Sequence, residues 1–385
     1  MRNERRPSAK PRSSRNMSGL AAAALNSSLN RTSDLPCGHV DTSAQLVFML
    51  VCSLLFLVGL VLNSFTLKVY FCRAQQQQLS SSVTIYLKNL AAADFLLSLC
   101  LPLRIANYIS DSALVRQAYC HFGASAFYLN MYASILFMGF IAANRYLKIV
   151  HPLGTHILQK VRAAYIISVV TWVSLLTLTG VYVIMSLLTQ PSLPSVPASN
   201  SCSVLHSSPA KLLYKIIHCC SATVFFFVLV SLVYFYYSTS RRLTLVQQRQ
   251  PGASAASQGS RKLAKSRRNM LVLVSVFCIC FIPYHLVRIP YTFLQKKCMW
   301  SGVFFYLKEL TVTLSVLNVC LDPLIYFIFC KAFRAQMRLR RVFSTTQVPT
   351  QVPYVERRTS EGHLSIAKID KKPSFSMTVR RTGVL

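Results

Sequence analysis

Arg288 is a cation in a stretch too apolar to hold one casually. It stands in the run FCICFIPYHLVRIPY, Phe277 to Tyr291, where Pro283, His285 and Arg288 interrupt otherwise hydrophobic sequence. Phe281, His285 and Arg288 are four and three residues apart, so on a repeat of about 3.6 residues they share one helical face, rising from an aromatic ring to a guanidinium. Such a face can bind an anion. An ionisable group at membrane depth is expensive and by default marks a functional site, whereas the same side chain near the interface snorkels to water. The sequence leaves both readings of Arg288 open. Pro283 has no backbone donor, so it frees a carbonyl one turn back and bends its helix, which makes the segment a lever.

Acids are scarce, and only Asp94, Glu309 and Asp322 fall within apolar runs. Arg104, Arg116, Lys211, Lys215, Lys296, Lys297 and Lys308 belong with Arg288 to the same ends of those runs, where Asp111 and Glu309 are the only nearby acids. A cleft with that balance attracts phosphate or carboxylate. The competing explanation is general basicity in a chain with 42 Lys and Arg. No paired carboxylates, nucleophile elbow, phosphate loop or metal-ligand spacing is present, so the chain does not read as an enzyme.

The elements that must position these groups are membrane helices. Of 385 residues, 53% are hydrophobic and 14% charged, which places the chain among membrane proteins. Although the net charge is +32, the basic residues gather in connectors and tails, which argues against a nucleic-acid partner. Seven apolar runs, Leu46–Phe71, Val83–Leu103, Tyr119–Val150, Ala163–Leu188, Leu212–Tyr237, Met270–Phe293 and Val303–Phe329, each approach or exceed the roughly 20 residues that span a bilayer. The expected fold is all-α, a seven-helix transmembrane bundle over 46–329. Arg241 to Arg268 carries eight Lys or Arg without apolar periodicity, includes the flexible piece PGASAASQGS, and reads as a cytosolic connector. Lys331 to Val342 mixes Phe333, Met337 and Val342 with four arginines, which suits a short amphipathic helix over 330–342 on an anionic cytosolic leaflet. Residues 343–385 read as a disordered cytosolic tail open to phosphorylation.

The basic connectors agree on a cytosolic side, and the opposite side receives the N-terminal tail, residues 1–45. That tail carries glycosylation sequons at Asn16, Asn26 and Asn30. Arg2, Arg5, Arg6, Lys10, Arg12 and Arg15 resist its translocation, and initiation at Met17 would remove them. Cys37, Cys120, Cys202 and Cys298 lie at or beyond run ends on the exterior side, where four cysteines allow three pairings. A transporter is the rival from another class, disfavoured because no repeat of broken helices is visible.

In order and spacing, Asn63, LAAAD ending at Asp94, Cys120 before Arg145, NRY at 144–146, Trp172, CFIPYH and DPLIY at 322–326 resemble the rhodopsin-like (class A) G-protein-coupled receptors. The stretches IYLKNL, FYLNMYASI, FIPYHLVRIPYT, LKEL and NVCLDPLIYF look like the purinergic nucleotide receptors, in the branch that senses ADP and nucleotide sugars, with orphan and lysophospholipid-sensing relatives. The resemblance implies a plasma-membrane receptor for a phosphate-bearing extracellular ligand, acting through heterotrimeric G proteins of the inhibitory class, with arrestin and receptor kinases at the tail. A lysophospholipid receptor is the alternative within the family. It further implies that Tyr128 and Tyr132 wall the ligand site while His285, Arg288 and Lys308 grip phosphate, with Glu309 tuning or pairing with Lys308. By the same resemblance Cys120 bridges Cys202 and Cys37 bridges Cys298. Asn144, Arg145, Tyr146, Phe281, Pro283, Asp322, Pro323 and Tyr326 take the switch positions, and Asp94, Ser134, Asn318 and Asp322 surround a place where relatives hold a sodium ion.

Four features depart from the family pattern. Asn144 replaces the usual Asp before Arg145, Phe281 stands where many relatives carry Trp, the fourth and fifth spans lack prolines near Val181 and Val228, and Leu213 with Tyr214 replaces Trp-His at the start of the fifth span.

Overall fold

The computed structural model describes residues 42–74, 81–110, 112–152, 154, 156–189, 202, 207–249, 254–294 and 301–329. All belong to one compact unit, Met1–Leu339. The three sequons, Cys37, Cys298, the expected helix 330–342 and the tail 343–385 lie outside the described residues.

Seven helices are long and apolar enough to cross a membrane. They are α1 (Thr42–Ala74), α2 (Ser82–Ile109), α3 (Ala113–Val150), α4 (Val161–Leu188), α5 (Ser208–Arg249), α6 (Ser254–Leu294) and α7, which runs in two segments, Ser301–Val316 and Asn318–Phe329. No strand occurs among the described residues. Helix α3 is the hub: it packs on α2, α4, α5 and α6, and 67% of its most apolar window is buried against 11% for α4 and 17% for α1. Leu50, Leu54, Leu57 and Val61 of α1 share one outward face and are all exposed, as expected where lipid rather than water is the solvent. The polar groups Asn63, Asp94, Ser134, Asn318 and Asp322 are wholly buried instead.

The carbonyl that proline frees inside α7 finds its donor on another helix. Pro323 cannot donate to the carbonyl of Val319, and Asn63 Nδ2 donates to that carbonyl at 2.9 Å, re-satisfying it from α1. The approach is close: a Cβ on Gly59 would stand 2.6 Å from Val319 Cγ2, so glycine is required there. Helix α3 contains a π-helical turn at Tyr119–Gly123, and within it Cys120 forms the expected disulfide with Cys202.

One expectation is corrected. The piece PGASAASQGS, read as flexible within the connector 241–268, is helical from Ser254, where α6 begins, and α5 continues into the connector as far as Arg249. Arg, Lys, Gln and Ala are good helix formers, and a helix already nucleated in the membrane extends through them without needing an apolar face. Absence of periodicity argued only against burial. Helices α4 and α5 run unbroken, consistent with their lack of internal proline.

Candidate functional site

A cavity of about 220 Å3 opens at the end of the bundle formed by the C-termini of α2, α4 and α6 and the N-termini of α3, α5 and α7. Aromatic and basic side chains line it, delivered largely in pairs one helical turn apart: Arg104 and Tyr108 on α2, Tyr128 and Tyr132 on α3, Tyr214 and His218 on α5. Arg288 and Tyr291 enter from α6, Lys308 and Glu309 from α7, and Cys202 reaches the rim through its bridge to Cys120.

Two cationic clusters occupy this cavity. In the first, between α2 and α7, Glu309 collects three donors: Lys308 Nζ approaches Oε1 at 2.7 Å, while Arg104 and the Tyr108 hydroxyl both donate to Oε2. Arg104 also donates to Tyr119 at 3.1 Å. One carboxylate therefore serves two cations. In the second, between α5 and α6, Arg288 donates to the Tyr214 hydroxyl and to His218 Nε2 at 3.2 Å, which requires a neutral His218 with its proton on Nδ1. The guanidinium lies over the rings of Tyr128 at 5.2 Å, Tyr214 at 5.4 Å and Tyr291 at 5.6 Å. No carboxylate among the described residues pairs with Arg288, its Nε has no hydrogen-bond partner, and the residue is only 7% exposed. It faces the cavity and does not snorkel to lipid.

Cation–π contacts are worth roughly 0.5–2 kcal/mol each, whereas the effective penalty for burying an ion is several kcal/mol. The rings offset part of that cost, and an anion entering the cavity would offset the remainder. With four cations, Arg104, Lys211, Arg288 and Lys308, and one acid, Glu309, on its walls, the site is built to receive negative charge.

Of the residues expected at the site, Tyr128, Tyr132, Arg288, Lys308 and Glu309 line the cavity together. Glu309 pairs with Lys308, as one of its two expected roles supposed. His285 does not line it. It is 2% exposed beneath the floor, where it accepts from the Tyr132 hydroxyl at 3.1 Å through Nε2 and donates from Nδ1 to the Phe281 carbonyl at 2.8 Å. Its ring stacks on Phe225 with centroids 3.7 Å apart. The sequence reading missed Tyr108, Tyr182, Tyr214 and His218 as lining residues and held Arg104 only as a cation near the mouth. The spacing of Tyr214 and His218, four apart beside Lys211 and Lys215, was the available signal.

Below the floor lies the polar middle. Asp94 accepts from Ser134 Oγ at 3.0 Å, Asn318 Nδ2 at 3.4 Å and the Tyr326 hydroxyl at 2.6 Å, with Asp322 buried beside it. Two carboxylates with a hydroxyl and an amide oxygen form an oxygen-rich donor set suited to a hard cation. At the far end, Asn144 donates to Ser82 Oγ at 2.9 Å and to the Leu158 carbonyl at 2.6 Å, tying α3 to α2 and the following loop. Arg145 donates to the Phe329 carbonyl at 3.4 Å and lies 4.9 Å from that ring, and Tyr146 stacks on Phe235 at 4.7 Å. Phe281 packs against Phe277 at 5.3 Å, one turn below His285 and close to Pro283.

A sequence model of the 7 transmembrane receptor (rhodopsin family) matches residues 63–326. Purinoceptor 14 of Bos taurus is 33% identical over 319 residues, which cover 80% of this chain and 90% of that protein. Purinoceptor 13 of Homo sapiens is 31% identical over 319 residues, covering 80% and 85%. G-protein coupled receptor 87 of Mus musculus is 31% identical over 309 residues, covering 77% and 79%.

Proposed function

The chain belongs to the rhodopsin family of seven-transmembrane receptors, and on that premise we propose that it senses an extracellular phosphate-bearing ligand, a nucleotide or nucleotide sugar, and signals through inhibitory heterotrimeric G proteins. As a member of that family it is a receptor and not an enzyme. The observation that carries the ligand class is Arg288, a buried guanidinium facing the cavity with aromatic rings and a neutral histidine in place of a carboxylate. Two of the relatives bear the name purinoceptor, which supports a nucleotide over other anions. In this reading the N-terminus is outside, the C-terminal tail is cytosolic where arrestin and receptor kinases meet it, and the protein resides in the plasma membrane.

The ligand acts by choosing between arrangements of the bundle. Phosphate bridging Arg288 on α6 and Lys308 on α7 binds one arrangement better, and only that difference in affinity moves the equilibrium. Tyr132 gives the cavity floor a route to the lever. Its hydroxyl holds His285, and His285 holds the Phe281 carbonyl beside Pro283, whose missing donor leaves α6 easiest to bend there. Movement of α6 at the opposite end would open a G-protein surface beside Arg145, which the Phe329 carbonyl of α7 holds. A sodium ion at Asp94 and Ser134, with Asn318 and Asp322 around it, would neutralise the buried carboxylates in the resting arrangement.

The test is a panel of ADP, UDP-sugars and lysophosphatidylserine on cells expressing the chain, read as G-protein nucleotide exchange with and without pertussis toxin. A phosphorylated agonist should respond and lose potency in Arg288→Ala and Lys308→Ala. An agonist whose potency survives both substitutions removes the phosphate grip, and a response only to the lysophospholipid replaces the nucleotide reading.

A further inference from the structure

The end of the bundle opposite the cavity has the more lopsided charge. Across residues 72–81, 145–162 and 241–268 the chain carries thirteen Lys or Arg and not one Asp or Glu, so no ion pair within these connectors can neutralise them. A cytosolic bias toward Lys and Arg alone would not exclude acids. The helical continuation of α5 and α6 gives these charges fixed positions. Arg242 lies seven residues before the end of α5 at Arg249, and Arg261 lies seven residues after the start of α6 at Ser254. The two antiparallel helices are joined through residues 250–253 only, so Arg242 and Arg261 stand at one level, with Arg241 and Lys262 a step beyond. Lys265 follows Arg261 one turn along the same face. Arg241, Arg242, Arg261 and Lys265 are all exposed.

Depth decides what meets them. Tyr234 and Tyr237 of α5 are exposed aromatics of the kind that sit at the headgroup boundary. Arg241 and Arg242 lie one turn further out, about 6 Å at a rise of about 1.5 Å per residue, which is the depth of lipid phosphates. Like charges held at one level on paired helices repel, and a ligand with several closely spaced phosphates would offset that repulsion better than scattered single charges. We propose that the exposed cations of the α5–α6 extension form a binding site for the headgroup of a polyphosphorylated inositol lipid of the inner leaflet. The proposal rests on the reading that this end of the bundle faces the cytosol.

The experiment uses the full chain in phosphatidylcholine nanodiscs with a trace of fluorescent phosphatidylinositol bisphosphate. Binding is expected, and the combined Arg241→Gln, Arg242→Gln, Arg261→Gln and Lys265→Gln variant should weaken it by about tenfold or more, given that each basic group near an anionic surface contributes on the order of 1 kcal/mol. Arg116→Gln with Lys215→Gln, at the other end, should leave it unchanged. A variant with lysine at the three arginine positions keeps the charge and should keep most of the binding, which separates lost charge from lost folding. Retention within about twofold in the glutamine variant, or equal displacement by phosphatidylserine at matched total charge, overturns the site, since a tenfold difference is about 1.4 kcal/mol. Equal competition by free inositol trisphosphate overturns its assignment to a lipid. An epitope inserted between α5 and α6 that stains on unpermeabilised cells refutes the topology independently of the nanodisc result.

Discussion

Arg104 and Arg288 are guanidinium groups shut into the same cavity, 6% and 7% exposed, yet they are neutralised by different means. Arg104 shares Glu309 with Lys308, which fastens α2 to α7 through a carboxylate. Arg288 has tyrosine rings, a hydroxyl and a neutral histidine, which orient it without cancelling its charge. The difference separates two jobs within one pocket. The α2–α7 seam is closed in the absence of ligand and serves as a fixed wall, whereas the α5–α6 seam keeps a charge whose partner must come from outside. Helix α6 also carries Pro283 and Pro290, so the unneutralised cation sits between two missing backbone donors.

The largest effect that would break this comparison is expected from Arg288→Ala. Hydrogen bonds to charged groups contribute about 1.5–3 kcal/mol, so agonist potency should fall by roughly 10- to 100-fold while expression stays near normal. If Lys308→Ala costs more potency than Arg288→Ala in the same assay, the α2–α7 seam carries the larger share of the phosphate grip and the ranking of the two seams reverses. Glu309→Gln comes next and should act chiefly on stability. Removing one partner of a buried ion pair commonly costs about 3–5 kcal/mol, and the remaining hydrogen-bonding capacity of glutamine should hold the loss nearer 2 kcal/mol. The thermal midpoint of the ligand-free receptor should drop by several degrees and recover on adding the anionic agonist, whose phosphate replaces the lost carboxylate. A midpoint that is unchanged would mean the Arg104–Glu309–Lys308 cluster does not hold α2 to α7.

The sequence already contained the seven spans, the Arg288 face and the scarcity of acids, because each follows from composition or from a period along one chain. What it did not contain is how deep on a shared face a residue lies. His285 stands on the same stripe as Arg288, but one turn further in, which is the difference between the cavity wall and the packed layer under it. Arg104 was visible as a cation, while its carboxylate lies 205 residues away and no local pattern joins them. Tyr108, Tyr182 and Tyr214 were hidden for another reason: a tyrosine in an apolar run has the same neighbours in sequence whether its hydroxyl meets a ligand or a neighbouring helix. The helical part of the connector was hidden because good helix formers extend a helix without a full apolar period, and beyond Tyr237 α5 buries Thr239 and Leu243 among exposed Arg241, Arg242 and Thr244.

The smallest effects sharpen the comparison most, because they change a hydroxyl and leave each ring in place. Tyr214→Phe keeps the ring over which Arg288 lies and removes the oxygen to which it donates. The guanidinium then has a donor to offer the ligand without first giving up a bond, so agonist potency should rise by about threefold even as the empty receptor loses on the order of 1 kcal/mol of stability. Tyr108→Phe is the matched change at the other cluster. It removes one of three donors from Glu309, whose two cations remain, so potency should stay within about twofold. Concentration–response curves for both variants against wild type decide it. A fall in potency for Tyr214→Phe would show that the hydroxyl holds Arg288 in its binding posture, making the α5–α6 seam as preassembled as the α2–α7 seam and removing the distinction between them.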